Sequence, residues 1–386
     1  MTDVNVAASP TATALAGYLD EKKPQPDMAP YRGVLTPIEL DARPQEIEAL
    51  RSGCALHDQG WQRRVAVRGR DRFRWLSGMV TNMVKELSPD AGAWNLVLNA
   101  QGRIQGDLTV WRDADDLELE IEAVQYDKIL AHLNHFIIMD DVDLVPLQGE
   151  AIGVTGPKAG QVLRNLELPV LNDPLTQLRA EWNGCPRSPR SGDPGESESH
   201  NSTQRAGFPV LLRRGYGVLA DHYTLWIDAD HTPALWEALV SAAATPVGSA
   251  ALEAFRIAEG IPVYGTDIVD RDLPQETSQM RALHFNKGCY LGQEIVERIR
   301  SRGNVHRHLR SLELDGRVPP SGTKMTLDST EVGHITSASG LQLSGGTRVF
   351  ALGMIRADAE GRNLPLSYQA RELTGNARIL ASPPTL

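Results

Sequence analysis

The stretch Asn286-Lys287-Gly288-Cys289-Tyr290-Leu291-Gly292-Gln293-Glu294-Ile295-Val296-Glu297-Arg298 carries more information than any other in the chain. From Tyr290 onward Leu291, Ile295 and Ile299 recur every fourth residue, which predicts a helix whose first turn carries Cys289. A thiol there lies near the positive end of the helix dipole and beside Lys287, and both favour the nucleophilic, metal-binding thiolate. Gln293 follows Cys289 by one helical turn, on the same face, placed to hydrogen-bond whatever the sulfur holds. Spacing alone also admits a plainer account, a small buried cysteine flanked by a solvated lysine.

The segment resembles the K-G-C-[YF]-x-G-Q-E signature of the YgfZ family, folate-binding relatives of the glycine-cleavage T-protein that support iron–sulfur enzymes. Every fixed position matches: Lys287, Gly288, Cys289, Tyr290, Gly292, Gln293 and Glu294. The flanks Leu273-Pro274-Gln275-Glu276 and Arg302-Gly303-Asn304-Val305-His306-Arg307 are similar too, and the likeness runs loosely from Gly53 to Ala357. The resemblance implies an α+β fold of three domains in a ring: a folate-binding domain over 45–150 plus 246–304, a ferredoxin-like domain over 151–245, and a small C-terminal β-barrel over 305–386. Residues 1–44 are expected to form a loosely ordered extension. The resemblance further implies tetrahydrofolate, or a one-carbon-substituted folate, in the central hole, with Cys289, Lys287, Gln293 and Glu294 as the reactive site. The function it implies is accessory: assembly or repair of iron–sulfur clusters, and through them tRNA modification, with iron–sulfur scaffold or carrier proteins or client enzymes as partners.

Two further segments resemble folate-contacting stretches of this superfamily. Asn99 to Leu108 is similar to the T-protein's glycine-turn-and-acidic segment, with Asp107 kept and Gly106 in the first acidic place. Loss of a proton-handling carboxylate at a reacting amine counts against aminomethyl transfer; without the resemblance, Asp107 reads as a turn cap. Leu252 to Gly265 is similar to the R-x-E-x-G pattern near the pterin, with Ala258 at the expected acidic place and the carboxylate one residue later, at Glu259. One residue turns a helical side chain by about 100°, so Glu259 reaches that pocket only if the helix ends there, as Gly260 and Pro262 suggest. Arg256 is spaced to pair with Glu259, a purely structural alternative. The resemblance thus assigns folate contacts to Asp107, Arg256, Glu259, Tyr264 and Arg302.

The rest of the chain sets bounds. Its 386 residues carry a net charge of −10, which argues against a nucleic-acid-binding surface; the cationic run from Arg298 to Arg310 reads as a pocket for one anion, such as a glutamate tail. No segment approaches a membrane span or a signal peptide, and three scattered cysteines fit a reducing compartment, so the expectation is a cytoplasmic protein. Strict alternation of Leu117, Leu119 and Ile121 with glutamates predicts a strand, and short β-rich runs after Arg310 predict the barrel. Residues 183–205, rich in Gly, Pro and Ser, read as a disordered insertion. His306 with His308, the Asp140-Asp141-Asp143 run and a His57-Asp58 turn offer only weak sites, and no metal centre is expected. The rival function is a folate-dependent aminomethyltransferase or demethylase; a binding and maintenance role is expected over steady turnover.

Overall fold

The computed structural model describes residues 11–184 and 207–386, apart from 115, 304, 363 and 372. Beyond Gly184 the expected insertion lies outside the described residues. The fold is mixed α and β, ending in a closed barrel of six strands: Arg307–Asp315, Gly346–Arg356, Thr330–Leu343, Lys324–Leu327, Leu366–Ala370 and Leu373–Ile379. A bulge near Thr336 lets the long Thr330–Leu343 strand bend around that barrel.

Two other sheets precede it. A five-stranded antiparallel sheet has the order Gly92–Leu98, Ile104–Asp113, Asp116–Glu122, Gln62–Arg68, Asp143–Leu147. A six-stranded sheet has the order Thr176–Trp182, Phe208–Arg214, His222–Ile227, Glu150–Thr155, Ala55–Asp58, Thr245–Pro246. His57 and Asp58 therefore belong to a buried strand of the second sheet, not to a turn, because Ala55–Asp58 pairs antiparallel with Ile152–Thr155.

The alternation at 117–121 explains how these sheets meet. Leu117, Leu119 and Ile121 point into a core shared with the helices Arg72–Met79 and Ala123–His135. Their intervening glutamates face the six-stranded sheet, where Arg213, only 1% exposed, donates at 2.6 Å to both Glu118 and Glu120 and lies 4.7 Å over the Trp111 ring. Gln177 accepts a further bond from Arg213 Nε at 3.1 Å. A buried cation is tolerated because each of its faces finds an acceptor or an aromatic ring.

The segment expected to be a loose extension is ordered from Thr11 onward. Thr11–Ala12, Val34–Pro37 and Met28–Tyr31 form a three-stranded sheet. Thr13 caps the helix Ala14–Asp20, whose Leu15 and Leu19 enter the same core as Trp236 and Leu239. Burying those leucines offsets the entropy of ordering the segment. No helix of the described residues is long and apolar enough to cross a membrane.

Candidate functional site

The signature cysteine lies outside the helix predicted to carry it. That helix runs Gln293–Arg302, preceded by Gly292 in the left-handed region at φ +81°. A Cβ on Gly292 would also sit 2.6 Å from the Asn99 carbonyl oxygen, so both conformation and contact require glycine. Cys289 therefore precedes the helix and is exposed. Lys287 is buried instead of solvated: its Nζ donates to the carbonyls of Val80 and Asn82 at 2.6 and 2.7 Å, and burial pushes its pKa down to about 7. Gln293 Oε1 accepts the Tyr290 N–H at 3.3 Å, closing the turn, while Glu294 is exposed on the first helical turn. The lysine charge expected beside the sulfur is thus engaged elsewhere, and the sulfur lies ahead of the helix and not in its first turn. The side chain of Arg302, at the far end of this helix, lies outside the described residues.

Asp107 occupies a place that local strand geometry makes. The Ile104–Asp113 strand pairs with Asp116–Glu122 only as far as Thr109 opposite Glu120, because the chain then enters the Ala123–His135 helix. The Asp107 N–H left without a ladder partner donates to Gln125 Oε1 at 3.0 Å, and Gln125 Nε2 returns a bond to Asp107 Oδ1 at 2.6 Å. Trp94 Nε1 donates to Oδ2 at 2.9 Å. Burial raises the Asp107 pKa against these two donors. Asp107 is thus not a turn cap but a half-buried carboxylate held at both oxygens. Gly106, on the opposite face of the strand, has little room for a side chain: a Cβ would lie 2.8 Å from both Gln125 Oε1 and Ile129 Cδ1, and both side chains would have to shift.

The second segment divides. Helix Ser249–Glu259 does end at Glu259, with Gly260 left-handed at φ +75°. Arg256 does not pair with Glu259. It bonds Asp267 at 2.5 Å, Ser337 at 2.9 Å and Glu253, so the alternative ion pair is replaced by a buried network toward the barrel. Glu259 turns the other way and accepts from the Val218 and Leu219 N–H groups at 3.1 and 2.9 Å and from His222 Nε2 at 2.9 Å. Each of its bonds is to protein, which makes it a clamp on the 215–220 loop. Tyr264 bonds Asp270 and lies 2.5 Å from Lys128 Nζ. Arg256 and Tyr264, with Tyr31, Arg32 and Glu253, line a cavity of about 480 Å³.

Several residues near Asp107 carry no sequence signal of their own. Arg32 reaches in from the N-terminal sheet to bond Glu122 at 2.7 Å, beneath Tyr31 and Trp61. Arg281 lies 4.8 Å over Trp94 and 3.7 Å over Tyr216. Neither sits in a recognisable motif, and only the chain's return to this point brings them together. The cationic run, by contrast, is largely neutralised: Arg307 pairs with Asp272 and Glu276, and Arg310 and His308 with Glu360. It is not the open anion pocket the composition suggested. Arg70 and Arg74 likewise take Asp141 and Asp140. Among the described residues no group of three or more His, Cys, Asp or Glu is placed to hold a metal ion.

The fold is that of the glycine-cleavage T-protein class. The crystal structure of the glycine cleavage system aminomethyltransferase T from Bartonella henselae superposes with a TM-score of 0.83 at 17% identity, covering 97% of this chain and 98% of that one. Residues 31–180 match the family model described as the GCVT N-terminal domain. An aminomethyltransferase from Geobacillus kaustophilus is 26% identical over 90% of this chain and 92% of its own length. One from Halalkalibacterium halodurans is 24% identical over 92% of each, and a putative chloroplastic transferase from Arabidopsis thaliana is 24% identical over 83% of this chain and 69% of its own. Together these likenesses support the T-protein superfamily without singling out the YgfZ branch within it.

Proposed function

We propose that the chain binds a reduced folate beside Asp107 and handles a one-carbon unit there, as a folate-dependent transferase of the aminomethyl type. The observation that carries this reading is the Trp94–Asp107–Gln125 arrangement: a carboxylate with a raised pKa, fixed at both oxygens, at the N–H edge of an indole. Asp107 can hold or release one proton at a reacting amine, and the two donors keep it oriented while it does so. Trp94 offers aromatic surface to a conjugated ring, and Arg281, 4.8 Å over the indole, supplies N–H donors beside it. A reduced folate would supply the nucleophilic nitrogen that carries the one-carbon unit. Gly106 does not weigh against transfer as heavily as the sequence suggested, because residue 106 faces the Ala123–His135 helix and not the side of Asp107. The names of the relatives favour the same reading.

Titration calorimetry with tetrahydrofolate tests it: micromolar binding by the wild type and by Asp107→Asn, with one-carbon transfer lost only in the variant, is the expected result. A folded wild type that gives no heat with tetrahydrofolate would remove the reading.

A second reading is favoured by the exposure of Cys289. In it the protein is a cytoplasmic YgfZ-type accessory factor, folate-bound, that maintains iron–sulfur clusters in client enzymes and uses this thiol toward scaffold or carrier proteins. Gene deletion rescued equally by wild type and Cys289→Ala, assayed on iron–sulfur enzymes, would exclude a role for the sulfur.

A further inference from the structure

Arg281 differs from four other half-buried or buried arginines. Arg32, Arg213, Arg256 and Arg307 each hold at least one carboxylate. The Arg281 guanidinium has one protein acceptor among the described residues, Gln279 Oε1, at 3.3 Å from Nε. Among the described residues its terminal nitrogens have none. Instead the cation stacks on two rings, 3.7 Å from the Tyr216 centroid and 4.8 Å from that of Trp94, where partial burial pulls its pKa down to about 10.

The position is also rigid. Asn82 Nδ2 donates to the Trp94 carbonyl at 2.9 Å and to the Arg281 carbonyl at 2.8 Å, so one amide fixes both backbones. Tyr216 belongs to the loop pinned by Glu259 through Val218 and Leu219. The other side of Trp94 is tied through Nε1 to Asp107. A half-buried cation stacked on aromatic rings without an ion pair among the described residues, one indole away from a proton-handling carboxylate, is placed to receive an anion.

We propose that the terminal nitrogens of Arg281, stacked on Trp94 and Tyr216, receive a carboxylate of the ligand that reacts beside Asp107. The inference rests on the folate reading and deepens it. A planar guanidinium matches a carboxylate in two parallel hydrogen bonds, a geometry that neither a lysine nor a hydroxyl reproduces. The carboxylate has two chemical sources: the glutamate end of the folate, or the acid group of a small amino-acid donor of the one-carbon unit.

Calorimetric affinities of wild type, Arg281→Met and Arg281→Lys for three probes separate these. The probes are tetrahydrofolate, tetrahydrofolate with both glutamate carboxylates amidated, and N-methylglycine. Arg281→Met should bind tetrahydrofolate at least tenfold more weakly, Arg281→Lys should recover part of the loss, and the amidated folate should bind wild type and Arg281→Met alike. If the donor supplies the acid, Arg281→Met keeps both folates and loses N-methylglycine. A folded Arg281→Met with wild-type affinity for all three probes overturns the inference and leaves the folate reading standing. Wild-type protein that binds neither folate overturns the folate reading itself, and the inference with it.

Discussion

His222 Nε2 lies 2.9 Å from a carboxylate oxygen of Glu259, and this contact joins the six-stranded sheet to the C-terminal end of helix Ser249–Glu259. Behind His222 the chain of contacts continues through Thr155 Oγ1, 3.2 Å from His222 Nδ1, to His57 Nε2 at 3.1 Å. Burial acts against both charges of the pair. The Glu259 charge and hydrogen bond outweigh it for the imidazole, whose pKa is raised, and His222 outweighs it for the carboxylate, whose pKa is lowered.

The signs fix a pH window for that pair. His222, raised, contributes fully below the ordinary imidazole value of 6.5 and loses its contribution as pH climbs through its folded value. Glu259, lowered, contributes fully above the ordinary 4.5 and loses it as pH falls through its folded value. The difference in Tm between wild type and His222→Gln should therefore be largest between those two values and shrink on either side. A difference that grows steadily above neutrality would contradict the pairing.

Asp107→Asn should remain folded with some loss of stability, since the amide oxygen can still accept the Trp94 N–H but the amide NH2 then faces the Gln125 Nε2 donor. It should lower one-carbon transfer by about 10²–10⁴-fold, the usual share of a general acid–base group. Stopped assays with a fixed folate concentration would measure it; transfer within a factor of two of wild type would mean that Asp107 only supports Trp94.

Gly106→Asp, which restores the acidic pair of the superfamily pattern, should be destabilising. Its Cβ would meet Gln125 and Ile129 at 2.8 Å, and overpacking of this kind costs about 1–3 kcal/mol. Urea unfolding at neutral pH reads the change directly. A neutral or stabilising result would show that the Ala123–His135 helix can move aside.

Lys287→Met should cost about 1–3 kcal/mol, because the carbonyls of Val80 and Asn82 lose a buried donor. Alkylation followed by mass spectrometry should label Cys289 in the native protein and Cys54 only on denaturation, since Cys54 is 3% exposed. Lys287→Met should not slow Cys289 labelling, because the lysine Nζ is spent on backbone. Marked slowing in the folded variant would return Lys287 to the role that its neighbourhood in sequence suggested.

The sequence by itself determined what depends on local periodicity and on residue type. The two-residue alternation at Leu117–Ile121 produced a strand, and the left-handed Gly260 ended a helix at Glu259. The short β-rich runs after Arg310 closed into a barrel, and the signature around Cys289 pointed to the T-protein class of fold. Tertiary structure decided every question of partnership. Lys287 became a buried backbone anchor, Glu259 a clamp on a loop, and Arg307 and Arg310 ion-paired, half-buried groups. Arg281 and Trp94, which no motif marks, came together on either side of one amide from Asn82. The physical reason is that a side chain's chemistry is set by burial and by the groups opposite it. Those groups come from residues as far apart in sequence as Val80 and Lys287, so their meeting is fixed only when the sheets have packed.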